Sequence, residues 1–135
     1  SEVVDDSVRR RCWRRPLLAT EGIEVSSDHE LLAPTLLRSQ TLSVLHEAVH
    51  RGELAADVAR DRLEHVWRMP IRLLGDAVLR RRAWEAAERL GWAETYTAEY
   101  VALTQLQADA FVTRDAELAR NVEGVVATAS IDALR

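Results

Sequence analysis

The sequence predicts an α/β fold of three layers, a mainly parallel central sheet with helices on both faces. The candidate strands are short and each is followed by a helical stretch instead of a tight turn. They therefore cannot pair as hairpins, and crossover connections are needed. The chain is 135 residues long, enough for one domain (1–135) with a sizeable core and too short for two ordinary ones. No internal repeat or low-complexity linker interrupts it, and its five glycines and three prolines fall mostly at element boundaries.

Taken in order, Val3-Val4-Asp5 reads as a first strand, and Ser7 as the N-cap of a helix through Val8, Cys12 and Trp13 that Pro16 must disturb. Leu31-Leu32-Ala33 is a second strand. Pro34 opens a helix to about Arg51, with Leu42, Leu45 and Val49 on one face and Gly52 closing it. Ala55 to Arg68 repeats the helical period with Ala59, Leu63 and Val66, ends before Pro70, and leads into a strand, Ile71 to Leu74. Asp76 caps a helix with Leu79, Ala83, Ala86, Ala87 and Leu90 inward, and Gly91 suits its left-handed C′ position. Thr95 or Thr97 opens a helix carrying Tyr100, Val101, Leu103 and Leu106. Ala110 to Thr113 is a strand, Asp115 caps a brief helix, and Val125-Val126-Ala127 is the last strand.

Composition narrows the chemistry. With 47% hydrophobic and 30% charged residues the chain reads as folded, and a net charge of −4 argues against retention on nucleic acid by bulk positive charge. All 18 basic residues are arginine, so any basic cluster presents guanidinium forks suited to phosphate or carboxylate. A single cysteine, Cys12, allows no internal disulfide, which suits a cytoplasmic location. The first residues contain acids and no apolar stretch of the length of a signal h-region, and no stretch is apolar for the roughly 18 residues a membrane span requires. Neither export nor a membrane anchor is expected.

In open parallel sheets ligands bind beyond the carboxyl ends of the strands, so acids that follow strands deserve notice. Asp5 and Asp115 do so. If their strands are neighbours, the two carboxylates converge on one hard cation such as Mg²⁺ or Mn²⁺; read locally, each is only a helix N-cap.

VVDDS at the start, LLAPTLLRSQTLSVL followed by RGEL, RLG before TYTAEYVAL, and FVTRDAELAR near the end resemble, in order and spacing, the PIN domain of VapC-type toxin ribonucleases. The resemblance spans nearly the whole chain. It implies a cytoplasmic ribonuclease of a toxin–antitoxin pair, a homodimer, in which four acidic positions hold Mg²⁺ or Mn²⁺ and activate water to cut RNA. It also implies an antitoxin-like protein partner over that site. Asp5 matches the first acidic position, with Ser7 two residues on, and Asp115 matches the last, preceded by Thr113. The other two acids align with Gln40 and Thr97. These keep an amide oxygen and a hydroxyl but no charge, so a quartet of about −4 falls to about −2, and hard cations are held largely by carboxylate charge. Arg38 adds positive charge two residues from Gln40.

The resemblance therefore implies a degenerate acidic site: Asp5 and Asp115 retained as catalytic and metal residues, supported by Ser7 and Thr113, with activity reduced or lost and no resident metal or only weakly held Mg²⁺ or Mn²⁺. Binding of RNA or of a protein partner then remains as the role. The alternative is a working Mg²⁺/Mn²⁺ endoribonuclease using Asp5 and Asp115. Asp6, Glu47, Glu94 and Glu99 could substitute for a lost acid, although Asp6 would point to the opposite side of its strand from Asp5.

Two further motifs compete. His46-Glu47-Ala48-Val49-His50 is a literal HExxH on a helix, where two imidazoles one turn apart hold Zn²⁺ and a glutamate activates water. Arg51 and Gly52 end that helix at once and no third ligand stands at a recognisable spacing, so an exposed polar face is the plainer reading of this second alternative, a zinc metallohydrolase. Arg9, Arg10, Arg11, Arg14 and Arg15 surround Trp13, a composition able to grip phosphate and stack a base; Arg10, Arg11 and Arg14 are the candidate RNA contacts, against a solvated helix face as the alternative. Trp67, Trp84 and Trp92 are expected to cover helix-packing surfaces.

Overall fold

A computed structural model describes residues 9–13, 29–113 and 115–130, with the backbone alone for 9–13 and His29. Its elements are β1 (Arg9–Trp13), β2 (His29–Pro34), α1 (Leu36–His50), α2 (Ala56–Arg68), β3 (Ile71–Leu74), α3 (Ala77–Leu90), α4 (Tyr96–Gln107), β4 (Ala110–Val112), α5 (Ala116–Asn121) and β5 (Thr128–Ala129). The strands form one sheet in the order β3-β2-β1-β4-β5, and every neighbouring pair is parallel. The expected α/β class with parallel strands joined by helical crossovers is thus present.

The crossovers exist because the strands carry continuous apolar runs that need cover, and the helices supply it. Leu32, Ala33, Phe111 and Val112 are fully buried, as are Ala98, Val101 and Ala102 of α4. Burying a side chain the size of leucine or phenylalanine contributes about 1.5–3 kcal/mol, so these positions are the main source of cohesion. α4 packs against β1, β2 and β4, and α3 packs on α4 and buries Leu79, Ala83, Ala86 and Ala87, the three alanines being small enough for close helix approach.

Helix ends follow local chemistry. The Asp76 carboxylate accepts from the Leu79 N–H at 2.8 Å and starts α3. Gly91, at φ 72°, ends it, with the Trp92 N–H reaching back to the Ala87 carbonyl at 2.9 Å and the Gly91 N–H to Glu88. The same paired closure ends α1 at Gly52, φ 76°, where the Glu53 N–H reaches the Ala48 carbonyl.

Four expectations need correction. Arg9–Trp13 is the central strand, paired with β2 and β4, where a helix from Ser7 through Trp13 was expected. Three consecutive arginines have no strand signature of their own, and it is the two flanking strands that recruit this backbone. Pro34 closes β2 and Thr35 takes the N-cap position of α1, so the helix starts at Leu36, two residues later than a helix opened by Pro34. Leu42 is 51% exposed, whereas Leu45 is buried as expected, together with Leu37 and Thr41. The last strand is Thr128–Ala129: the Val125 and Val126 N–H groups both bond to the Val122 carbonyl and hold those residues in a turn, so pairing begins only where the Phe111 N–H meets the Ala127 carbonyl. The expected strand Val3-Val4-Asp5 lies outside the described residues.

Candidate functional site

Because all strands are parallel, their carboxyl ends lie along one edge of the sheet. From β2 the chain steps outward to β3, then returns to lay β4 on the other side of β1 and steps outward again to β5. The order therefore reverses between β1 and β4, and a crevice opens beyond the carboxyl ends of strands at such a reversal. The side chains that reach this edge come from the segment after β4, from α1 as it leaves β2, and from the first turns of α4, which runs back toward the start of β4.

Asp115 follows β4 by three residues. One of its carboxylate oxygens accepts from the Leu118 N–H at 3.0 Å and caps α5, and its own N–H donates to the Thr113 hydroxyl at 3.1 Å. Thr113, 7% exposed, thus shapes the turn that carries Asp115, while the aspartate itself is exposed at the edge with its second oxygen available.

Gln40 sits in the second turn of α1, half-buried. Its Oε1 accepts a 2.6 Å hydrogen bond from the Tyr100 hydroxyl, a contact between residues 60 apart that ties α1 to α4. Tyr100 is 1% exposed, so its ring belongs to the core and its hydroxyl is the polar end that reaches the edge. Thr97 lies one turn earlier on the same side of α4, since positions i and i+3 share a helix face. The structure thus brings Gln40 and the Thr97–Tyr100 side of α4 to one place. Thr97 is inside the helix; Thr95 occupies the N-cap position and makes no side-chain cap bond.

Sequence reasoning missed the role of Tyr100, counting it only as an inward-facing residue. Its hydroxyl three residues after Thr97, on the face turned to the site, was the available signal.

Glu99, weighed as a substitute acid, lies apart from the Thr97–Tyr100 side of α4. Two residues from Thr97, it projects from a different side of α4, and the Arg80 guanidinium of α3 acts on it. It is half-buried, and burial raises its carboxyl above the ordinary glutamate range, with Arg80 pulling the other way. Glu47 and Glu94 are exposed. Asp5, Asp6, Ser7 and Arg14 lie outside the described residues. Arg10 and Arg11 are on β1 itself, paired with Glu30, Leu31 and Ala110, so the arginine-rich helix face expected of them is not formed there.

His46, Glu47 and His50 are exposed in the last turns of α1. Among the described residues, no group of three or more His, Cys, Asp or Glu side chains is placed to hold a metal ion. Neither a zinc centre at these histidines nor a carboxylate pair for Mg²⁺ or Mn²⁺ is therefore built from the described residues. Asp115 is the one carboxylate at the edge among the site positions described, and the Gln40 oxygen on α1 is already engaged by a phenol.

Two of the three tryptophans expected to cover packing surfaces do not. Trp84 is 64% exposed, its indole N–H donating to Glu88 at 2.6 Å, and Trp67 is 59% exposed; Trp92 packs partly buried on the core. No helix among the described residues is long and apolar enough to cross a membrane.

No family model matches the chain, and no curated protein matches it. Among solved structures, the crystal structure of PAE2754 from Pyrobaculum aerophilum is similar at a TM-score of 0.68 and 18% sequence identity, over 94% of this chain and 93% of that one. At that identity the similarity is one of fold: the α/β architecture extends over nearly the full length of both chains.

Proposed function

We propose that this chain is a three-layered PIN-like domain related to VapC-type toxin ribonucleases, with a reduced acidic site, and that it binds RNA without cutting it efficiently. The observation that carries this reading is the Gln40–Tyr100 pair. At the carboxyl edge of a parallel sheet, where the sequence resemblance places an acid, a neutral amide is held by a buried phenol. An amide oxygen that already accepts a hydrogen bond contributes no charge to a cation and little remaining acceptor capacity.

The chain's own residues support three roles at this edge. Thr113 and the α5 N-terminus fix Asp115, which presents one free carboxylate oxygen. Tyr100 fixes Gln40, whose amide N–H₂ can donate to a phosphate or a base edge. Thr97 adds a hydroxyl on the same side. With Gln40 and Thr97 supplying an amide and a hydroxyl where the resemblance places acids, the site is suited to recognising a polar ligand more than to activating water. The resemblance adds two partners, an antitoxin-like protein and a second copy of the chain in a cytoplasmic homodimer.

Titration with Mn²⁺ tests the reading. The unaltered protein is expected to bind Mn²⁺ weakly or not at all, and the Gln40→Glu/Thr97→Asp double variant at least 10-fold more tightly, the scale on which metal sites respond to their surroundings. Equal affinity in the two proteins contradicts the reduced site.

A further inference from the structure

A groove of about 400 Å³ lies between the first turns of α1, the end of α2 and the edge strand β3, a volume within the range of small-molecule sites. Its walls include Arg38, Thr41 and Leu42 of α1, Val66 and Trp67 of α2, and Leu73 of β3. By helix periodicity, Arg38 and Leu42 project from α1 nearly opposite to Gln40, so the groove occupies the other side of that helix from the Gln40–Tyr100 pair.

Three features of the groove point to one kind of occupant. Trp67 is 59% exposed although it adjoins the buried Val66, so a large aromatic face stands open at the lining. Among the described residues Arg38 is the only charged residue in the lining and no acid pairs with it, and the first turn of α1 contains no acid. The groove therefore favours an anionic ligand. The Thr41 hydroxyl, fully buried in the α1 wall, has no hydrogen-bond partner among the described residues, although buried hydroxyls nearly always find one.

We propose that this groove is a nucleotide subsite for single-stranded RNA, with a base stacked on the Trp67 indole and a phosphate held by the Arg38 guanidinium. Stacking is tolerant of base identity because every base has a π-face, and a guanidinium fork matches phosphate oxygens. The proposal rests on the RNA-binding reading above and locates part of the RNA away from the acidic edge.

The test is binding of a fluorescently labelled ten-nucleotide oligouridylate to the full chain over a series of salt concentrations, in the unaltered protein and in Trp67→Ala, Trp67→Phe and Arg38→Gln variants. Because both side chains are exposed, these variants are expected to fold. Trp67→Ala should weaken binding about tenfold or more while Trp67→Phe retains most of it. Arg38→Gln should reduce the slope of log affinity against log salt by about 0.7. Tight binding that is the same in all four proteins overturns the groove as a subsite and leaves the RNA-binding reading in place. No binding by the unaltered protein overturns both. If Trp67→Ala leaves RNA binding intact and instead reduces the mass measured by light scattering to that of a monomer, the groove is a protein contact and the proposal fails.

Discussion

At the scale of single residues, the Tyr100–Gln40 hydrogen bond and the half-buried Glu99 make separable predictions. Tyr100→Phe removes the donor while keeping the ring in the core, leaving a half-buried amide oxygen to seek another partner. It is expected to cost about 1 kcal/mol in urea unfolding, and much less in a Gln40→Ala background. Equal costs in the two backgrounds would show that the bond carries no coupling. For Glu99, burial raises the carboxyl's pKa in the folded chain and Arg80 partly offsets this. Between the ordinary glutamate range and the raised folded value, the folded chain retains a proton that the unfolded chain has released. Stability therefore declines as pH rises through that window and stays lower above it. Glu99→Gln should flatten the decline, and Arg80→Ala should deepen it. A Glu99→Gln variant with an unchanged stability profile from pH 4 to pH 8 would contradict the assignment. Asp115 has two roles that one substitution can separate. Asparagine caps a helix as well as aspartate, so Asp115→Asn removes the charge and keeps α5, whereas Asp115→Ala loses both and is expected to cost about 1 kcal/mol.

At the scale of elements, the helices were legible because their signals are local. Asp76 and Gly91 bracket α3 and the inward positions between them repeat every three or four residues, so neither end depends on distant parts of the chain. Asp76→Ala should destabilise the protein by about 1 kcal/mol and Asp76→Asn by very little, by chemical unfolding. Gly91→Ala should cost about 1–2 kcal/mol, since alanine must then adopt a left-handed backbone. The strands were legible where an apolar run coincided with pairing, at Leu31-Leu32-Ala33, Ile71 to Leu74 and Ala110 to Val112. They failed where pairing alone decides. Arg9, Arg10 and Arg11 carry the guanidinium composition of a solvated helix, yet their backbone lies between β2 and β4; Val125 and Val126 look like a strand but are turned back onto Val122. The tryptophans mark a related limit: spacing along α2 and α3 places Trp67 and Trp84, but only the neighbouring elements decide which faces are covered.

At the scale of the whole molecule, the sheet order determines what the residues can do together. The reversal between β1 and β4 puts Asp115 at the crevice, and the return of α4 to β4 puts Tyr100 beside Gln40, with Thr97 one turn earlier on the same side of α4. The sequence named Asp115, Gln40, Thr97 and Thr113 as site positions from their spacing and resemblance. It could not show that Gln40 is bonded to a phenol 60 residues away, because that contact follows from helix packing and no local pattern encodes it. The central claim is that a nuclease scaffold persists while its charge has been reduced. Its most direct test is cleavage of a mixed RNA substrate in Mg²⁺, in Mn²⁺ and in chelator by the unaltered protein, the Gln40→Glu/Thr97→Asp variant, and Asp115→Asn versions of both. The account predicts that the unaltered protein cuts no faster than its Asp115→Asn version, and that the double variant cuts only with metal and only with Asp115 intact. Metal-dependent cutting by the unaltered protein at the rate of the double variant, abolished by Asp115→Asn, would contradict it.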